Sequence, residues 1–284
     1  MYSAALLRPG AALGSYPQRE DIRDSWLDRT AANAIGFLRQ HTYGRAPRHR
    51  RFVNQVNAQS AGLDKSSEAE LGERIDALRR RLYSEGFREE LVALSFALVR
   101  ELAFRRLGMR HHDVQLFGGR VMLNGMIAEM ETGEGKTLAA TLPAATAALA
   151  GIPVHIVTVN DFLVSRDAKW MGPIYQALGL TVGTITEHLT PEQRRKAYSC
   201  DITYCTNKQL VFDYLKDRLL LGQESRRLHL QLEGLYSGRP STSRLMMRGL
   251  CFAIVDEADN VLVDEARTPL IISNRGDVAQ EEAA

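Results

Sequence analysis

The chain has 284 residues, 45% hydrophobic and 25% charged, which is ordinary for a globular fold and enough for one large domain or two modest ones. Its 36 basic and 34 acidic side chains nearly cancel, so charge alone implies no polyelectrolyte partner. No apolar run reaches membrane-spanning length, the N-terminus lacks the basic start of a secretion signal, and three scattered cysteines (Cys200, Cys205, Cys251) argue against a disulfide framework and for a reducing compartment.

Residues 1–60 read as an extension. Asp24–Gln40 carries Trp26, Leu27, Ala31, Ile35, Phe37 and Leu38 at the spacing of an amphipathic helix. Arg45–Arg51 is a dense basic run that reads as a solvated linker, with an anionic lipid or nucleic-acid surface as the alternative. Asn54–Leu63 shows no strong periodicity. Residues 61–108 form a helical lead-in. Ser67 and Glu70 make a capping box, followed by Leu71, Ile75, Leu78 and Leu82 on one helix face. Gly86 breaks that helix, and Leu91, Leu94, Leu98, Val99, Leu102 and Leu107 mark a second that stops near Gly108.

From Met109 short apolar runs alternate with helical stretches. Asn124–Met130 is expected as a short strand entering Met130–Thr137, Met-Glu-Thr-Gly-Glu-Gly-Lys-Thr. The ending Gly-x-Gly-Lys-Thr is the diagnostic half of a phosphate-binding loop. Its glycines let backbone N–H groups ring an anion, Lys136 reaches β- and γ-phosphates, and the Thr137 hydroxyl ligates Mg²⁺. A strict pattern has glycine where Met130 stands. Leu138–Ala150 reads as the following helix, whose N-terminus favours an anion. An ordinary glycine turn before a surface helix is the plain alternative.

Strands follow at Val154–Val159, Leu180–Ile185, Asp201–Thr206, Phe252–Asp256 and Pro269–Ser273, with helices over Asp161–Leu178, Pro191–Tyr198 and Asn207–Leu220. This alternation implies an α/β fold with a mostly parallel sheet and a ligand beyond the strands' carboxyl ends. Phe252–Val255 runs into Asp256 and Glu257. Beside a phosphate loop, Asp256 is the residue to hold the metal and Glu257 the one to polarise an attacking water.

These strings resemble the first nucleotide-binding fold of SecA, the ATPase that drives preproteins through the bacterial Sec channel. The resemblance rests on Gly108–Leu116, Ala128–Thr137, Val157–Leu163 with Arg166–Ala168, Asp201–Tyr204, Phe212–Leu215 and Val255–Ser273. It implies a P-loop NTPase lobe of the RecA-like, superfamily 2 helicase type over residues 109–277, preceded by N-terminal helices, with 278–284 as a tail. Met109 and Gln115 would contact adenine, and His112 stands where an aromatic residue lines the family's adenine pocket. Thr132, Gly133, Glu134, Gly135, Lys136 and Thr137 would bind the phosphates of ATP with Mg²⁺, and Asp256 and Glu257 would form the metal and water pair. Arg166 and Asp167 would lie in the segment relaying between nucleotide and preprotein. The implied partners are a SecYEG-type channel and a preprotein, with anionic lipid and a dimer left open and no specific nucleic acid. The implied location is the cytoplasmic face of the inner membrane.

The departures are Glu131, usually basic or neutral in the family; Cys205 and Lys208–Val211, which replace a more polar pattern; and a longer Arg218–Leu250 connection. The sequence stops where the family's preprotein-crosslinking domain and second motor lobe would follow. A divergent accessory translocase motor is the leading expectation. A truncated ATP-binding module without turnover is the alternative. An RNA helicase lobe, suggested by the literal Asp256-Glu257-Ala258-Asp259, lacks that class's nucleic-acid signatures.

Overall fold

The computed structural model describes residues 46–221 and 245–264. Among the described residues, five α-helices and a 3-10 turn (Leu63–Lys65) precede the first strand: α1 (Ala46–Ser60), α2 (Glu68–Glu85), α3 (Glu89–Leu107), α4 (Asp113–Leu123) and α5 (Lys136–Leu149). Then come β1 (Val154–Thr158), α6 (Asp161–Ala177), β2 (Val182–Thr184), α7 (Pro191–Tyr198), β3 (Ile202–Thr206), α8 (Asn207–Leu221) and β4 (Phe252–Val255), with a single π-turn at Asn260–Asp264.

The sheet has the order β2-β3-β1-β4 and every pair is parallel. β1 is central: Val154 lies opposite Ile202 on one side and Phe252 on the other. All five residues of β1 and of β3 are buried, as in a parallel sheet covered on both faces, with His155, Thr158, Thr203 and Thr206 as the buried polar members. Deep in this core the hydroxyls of Tyr175 on α6 and Tyr204 on β3 meet at 3.3 Å, each satisfying the other's polar atom.

The lead-in helices form as their caps dictate. The Ser67 hydroxyl accepts the Glu70 N–H at 3.2 Å and the Glu70 carboxylate accepts the Ser67 N–H at 2.8 Å. Leu71, Ile75, Leu78 and Leu82 of α2 are buried, and Gly108 ends α3 in the left-handed region at φ 70°. Helix α3 is buried on most of its surface because α1, α2, α5 and α6 all pack against it.

Three expectations change. The basic run does not read out as a linker from Ala46 onward: it opens α1, which continues through the stretch thought aperiodic, with Phe52, Val53 and Val56 buried against α3. Consecutive arginines hid an apolar stripe that begins only at Phe52. Asn124–Met130 is not a strand. Gly125 turns the chain at φ 71°, the Met126 N–H returns to Val121 O at 3.2 Å, and Ile127 is 87% exposed, so this segment has no ladder partner among the described residues. The strand expected at Leu180–Ile185 is reduced to Val182–Thr184. The Asp24–Gln40 helix, the Pro269–Ser273 strand and most of the Arg218–Leu250 connection lie outside the described residues.

Candidate functional site

Helix α5 runs back to the start of β1 through a short link, so its first residues lie at the carboxyl end of the parallel strands. That helix starts at Lys136, two residues earlier than expected, with Gly135 as its N-cap in the left-handed region at φ 76°. Gly133 is also left-handed, at φ 92°. The loop closes on itself: the Glu134 N–H donates to Glu131 O at 3.3 Å, and the Glu131 N–H donates to the Glu134 carboxylate at 2.9 Å. Lys136 is exposed and Thr137 half-buried at the first turn of α5, the arrangement needed to offer an ammonium and a hydroxyl to an anion. Glu131 and Thr132 are exposed. Met130, in the position of a glycine, rests its sulfur against the backbone of Gly118 on α4, where a Cβ would come within 3.1 Å of it. A side chain is tolerated at 130 because a glycine faces it.

Gln115 joins two pieces that lie far apart in sequence. It is 4% exposed on α4. Its carbonyl oxygen accepts the His112 N–H at 2.9 Å, and its amide nitrogen donates to Glu134 O at 2.8 Å and to Gly135 O at 3.4 Å. A Cβ on Gly135 would lie 2.4 Å from that nitrogen, so glycine is required by space as well as by φ. The expected base-contacting segment thus abuts the glycine loop, with Met109 half-buried and His112 exposed at the start of α4.

His111, given no role by sequence reasoning, is buried between them. Its Nε2 lies 3.0 Å from Leu138 O and 3.1 Å from the Thr141 hydroxyl on α5. Burial pushes its pKa down to about 4 against the opposing pull of the Leu138 carbonyl, so the ring is neutral at physiological pH. Of the two adjacent histidines in Met-Arg-His-His, nothing in the sequence separates the buried pin from the surface side chain.

At the end of β4 the Asp256 N–H donates to Val157 O of β1 at 2.9 Å, extending the ladder one residue. Glu257 follows at φ 51°, the one non-glycine residue with positive φ among those described, and its N–H donates to the Asp256 carboxylate at 3.0 Å. Such strain concentrates at functional sites. The next helical turn then opens, with the Val261 N–H on Glu257 O at 3.1 Å. Asp256 is half-buried and Glu257 exposed. Both carboxylates and the Lys136–Thr137 turn share the strands' carboxyl end, and α5 packs on β1 and β4. Among the described residues no three His, Cys, Asp or Glu side chains converge. The donor set of one hydroxyl and one carboxylate fits a magnesium ion that keeps waters and substrate phosphates as its other ligands.

The chain matches the family model described as the SecA DEAD-like domain over residues 36–284. It is 50% identical over 260 residues to protein translocase subunit SecA 2 of Nitrosospira multiformis, covering 91% of this chain and 39% of that protein. It is 51% identical to protein translocase subunit SecA 2 of Bordetella avium, again over 91% of this chain and 39% of the relative. Protein translocase subunit SecA of Anaplasma marginale is 48% identical over 84% of this chain and 25% of its own length. The chain therefore spans about two fifths or less of these relatives. With a parallel α/β lobe, a glycine loop before α5 and an acidic pair after β4, the chain belongs to the SecA DEAD-like domain family.

Proposed function

We propose that this chain binds ATP with Mg²⁺ and acts as the first motor lobe of a SecA-like preprotein translocase. The observation that carries the reading is Gln115, whose one amide group is bonded to the His112 backbone and to the Glu134 and Gly135 carbonyls. It makes a base-contacting segment and a phosphate loop into one unit, so base recognition and phosphate binding are felt together.

In this reading Lys136 and the loop N–H groups hold the β- and γ-phosphates, and Thr137 and Asp256 hold the metal. Mg²⁺ held there would supply positive charge to the phosphate oxygens. Glu257 orients and deprotonates the attacking water; its exposure leaves it accessible to solvent. Met109, His112 and Gln115 form the adenine side. Where arginines from a second motor lobe complete the site, they contribute roughly 10³ to 10⁵ in rate, so the 284-residue chain assayed by itself turns over slowly. The relatives are named as protein translocase subunits, which supports a SecYEG-type channel and a preprotein as partners and the cytoplasmic membrane face as the place of work. Among the described residues no helix is long and apolar enough to cross a membrane.

The test is Glu257→Gln. ATP binding is retained, while the slow turnover of this chain falls about 10²- to 10⁴-fold. Undiminished turnover in that variant would sink the assignment of Glu257.

A further inference from the structure

Arg166 sits in the second turn of α6, the helix that leaves the carboxyl end of β1. Its Nε donates to the Asp167 carboxylate at 2.7 Å. Adjacent residues on a helix point about 100° apart and do not ordinarily meet. Here the arginine bends across because Asp167 is 2% exposed and a buried carboxylate needs a partner. Using Nε for this bond fixes the plane of the guanidinium and leaves its two terminal nitrogens without a bond to Asp167. The side chain is 46% exposed, so those nitrogens are accessible to a ligand.

The guanidinium also lies within electrostatic reach of Asp256. The Asp167 bond first, then the charges of Asp167 and Asp256, hold it more firmly protonated against a smaller desolvation cost. The topology agrees, since β1 and β4 are neighbours and the Asp256 N–H is bonded to Val157 of β1, only a few residues before α6 begins. An oriented fork of two N–H edges beside a metal-binding carboxylate matches a phosphate in shape and charge.

We propose that Arg166 contacts the terminal phosphate of a bound nucleoside triphosphate, and so lets this lobe distinguish triphosphate from diphosphate without help from another lobe. The inference rests on the ATP-binding reading above. On the reading above Asp256 would help hold Mg²⁺, which would supply positive charge at the terminal phosphates. A cation beside Asp256 therefore belongs at the γ end. With Asp167 holding Nε, the terminal nitrogens of Arg166 would take the γ-phosphate as their anionic partner.

The experiment compares equilibrium binding of fluorescent ATP and ADP analogues, each with Mg²⁺, to the wild-type chain and to Arg166→Gln. The expected result is a loss of ATP-analogue affinity of about ten- to hundredfold, the range for one charge-assisted hydrogen bond. ADP-analogue affinity changes by no more than about twofold, as for a surface substitution, and reports that the variant is folded. If the unpaired Asp167 prevents folding, Arg166→Gln with Asp167→Asn carries no buried charge, and the same fall in the ATP-to-ADP ratio is expected. An unchanged ratio, or an equal loss for both nucleotides, overturns the proposal and leaves ATP binding standing. Failure of the wild-type chain to bind either nucleotide overturns the ATP-binding reading and this inference with it.

Discussion

Gly135 carries two constraints at once: a left-handed φ of 76° and a Gln115 amide that a Cβ would approach to 2.4 Å. Gly135→Ala therefore strains the loop and drives Gln115 off its carbonyls. The expected outcome is a stability loss of about 1–3 kcal/mol in urea unfolding, with at least about tenfold weaker ATP binding. A melt and affinity equal to wild type would contradict this account of the loop. Two buried histidines make a separate prediction. Burial pushes His111 and His155 down to about 4 from 6.5, and each has an unpartnered Nδ1. For His155 the nearby Arg248 charge adds to burial, and for His111 Arg100 does. Between those two pH values the unfolded chain binds more protons than the folded one, so stability rises with pH across the window and is lost as pH falls through it. At 1.36 kcal/mol per unit, each histidine costs about 2 kcal/mol on going from pH 6.5 to 5. Urea midpoints at pH 7 and 5 check this, and His155→Gln flattens the difference. An unchanged difference in that variant would show the drop comes from elsewhere.

Helices α7 and α8 are tied by a buried polar knot that the sequence pattern did not reveal. Arg194 bonds the fully buried Asp213 at 2.8 Å, and the Tyr198 hydroxyl donates to the same carboxylate at 3.0 Å. Arg194→Met leaves that carboxylate with only the Tyr198 hydroxyl and the Lys216 ammonium at 3.8 Å, takes the donor from the Thr186, Glu187 and Leu189 carbonyls, and is expected to cost about 3–5 kcal/mol in denaturant unfolding. Adding Asp213→Leu and Tyr198→Phe removes the buried carboxylate and its hydroxyl partner and recovers the part of the loss that comes from the charge, leaving the part due to the three carbonyls. Equal destabilisation in the single and triple variants would mean the knot is not what holds these helices. Amphipathic period identified α2, and β-branched apolar runs identified β1 and β3, because burial alone decides those elements. Helix α1 was masked by arginines ahead of Phe52, and the segment before the loop reads as a strand but has no neighbour with which to pair among the described residues. Periodicity reports which face is apolar, but not whether a partner exists to cover it.

For the molecule as a whole, the glycine loop was legible because a left-handed turn dictates glycine, and the acidic pair because an apolar strand runs into it; the phosphate and metal roles are what is proposed for them. What was not legible is how the pieces meet. Nothing in the sequence says that Gln115 bonds the loop carbonyls, that His111 is an uncharged pin under α5, or that Arg166 turns toward Asp167 beside Asp256. These depend on helix packing across the lobe. The central claim is that the Lys136 turn, joined to α4 by Gln115, is an ATP site. Calorimetric titration of the wild-type chain and of Lys136→Ala with ATP, in the presence of Mg²⁺, tests it most directly. One ATP per wild-type chain is expected, with at least about tenfold weaker binding in Lys136→Ala, the cost of one charge-assisted phosphate contact. Equal binding by the two proteins, or none by the wild type, would contradict it.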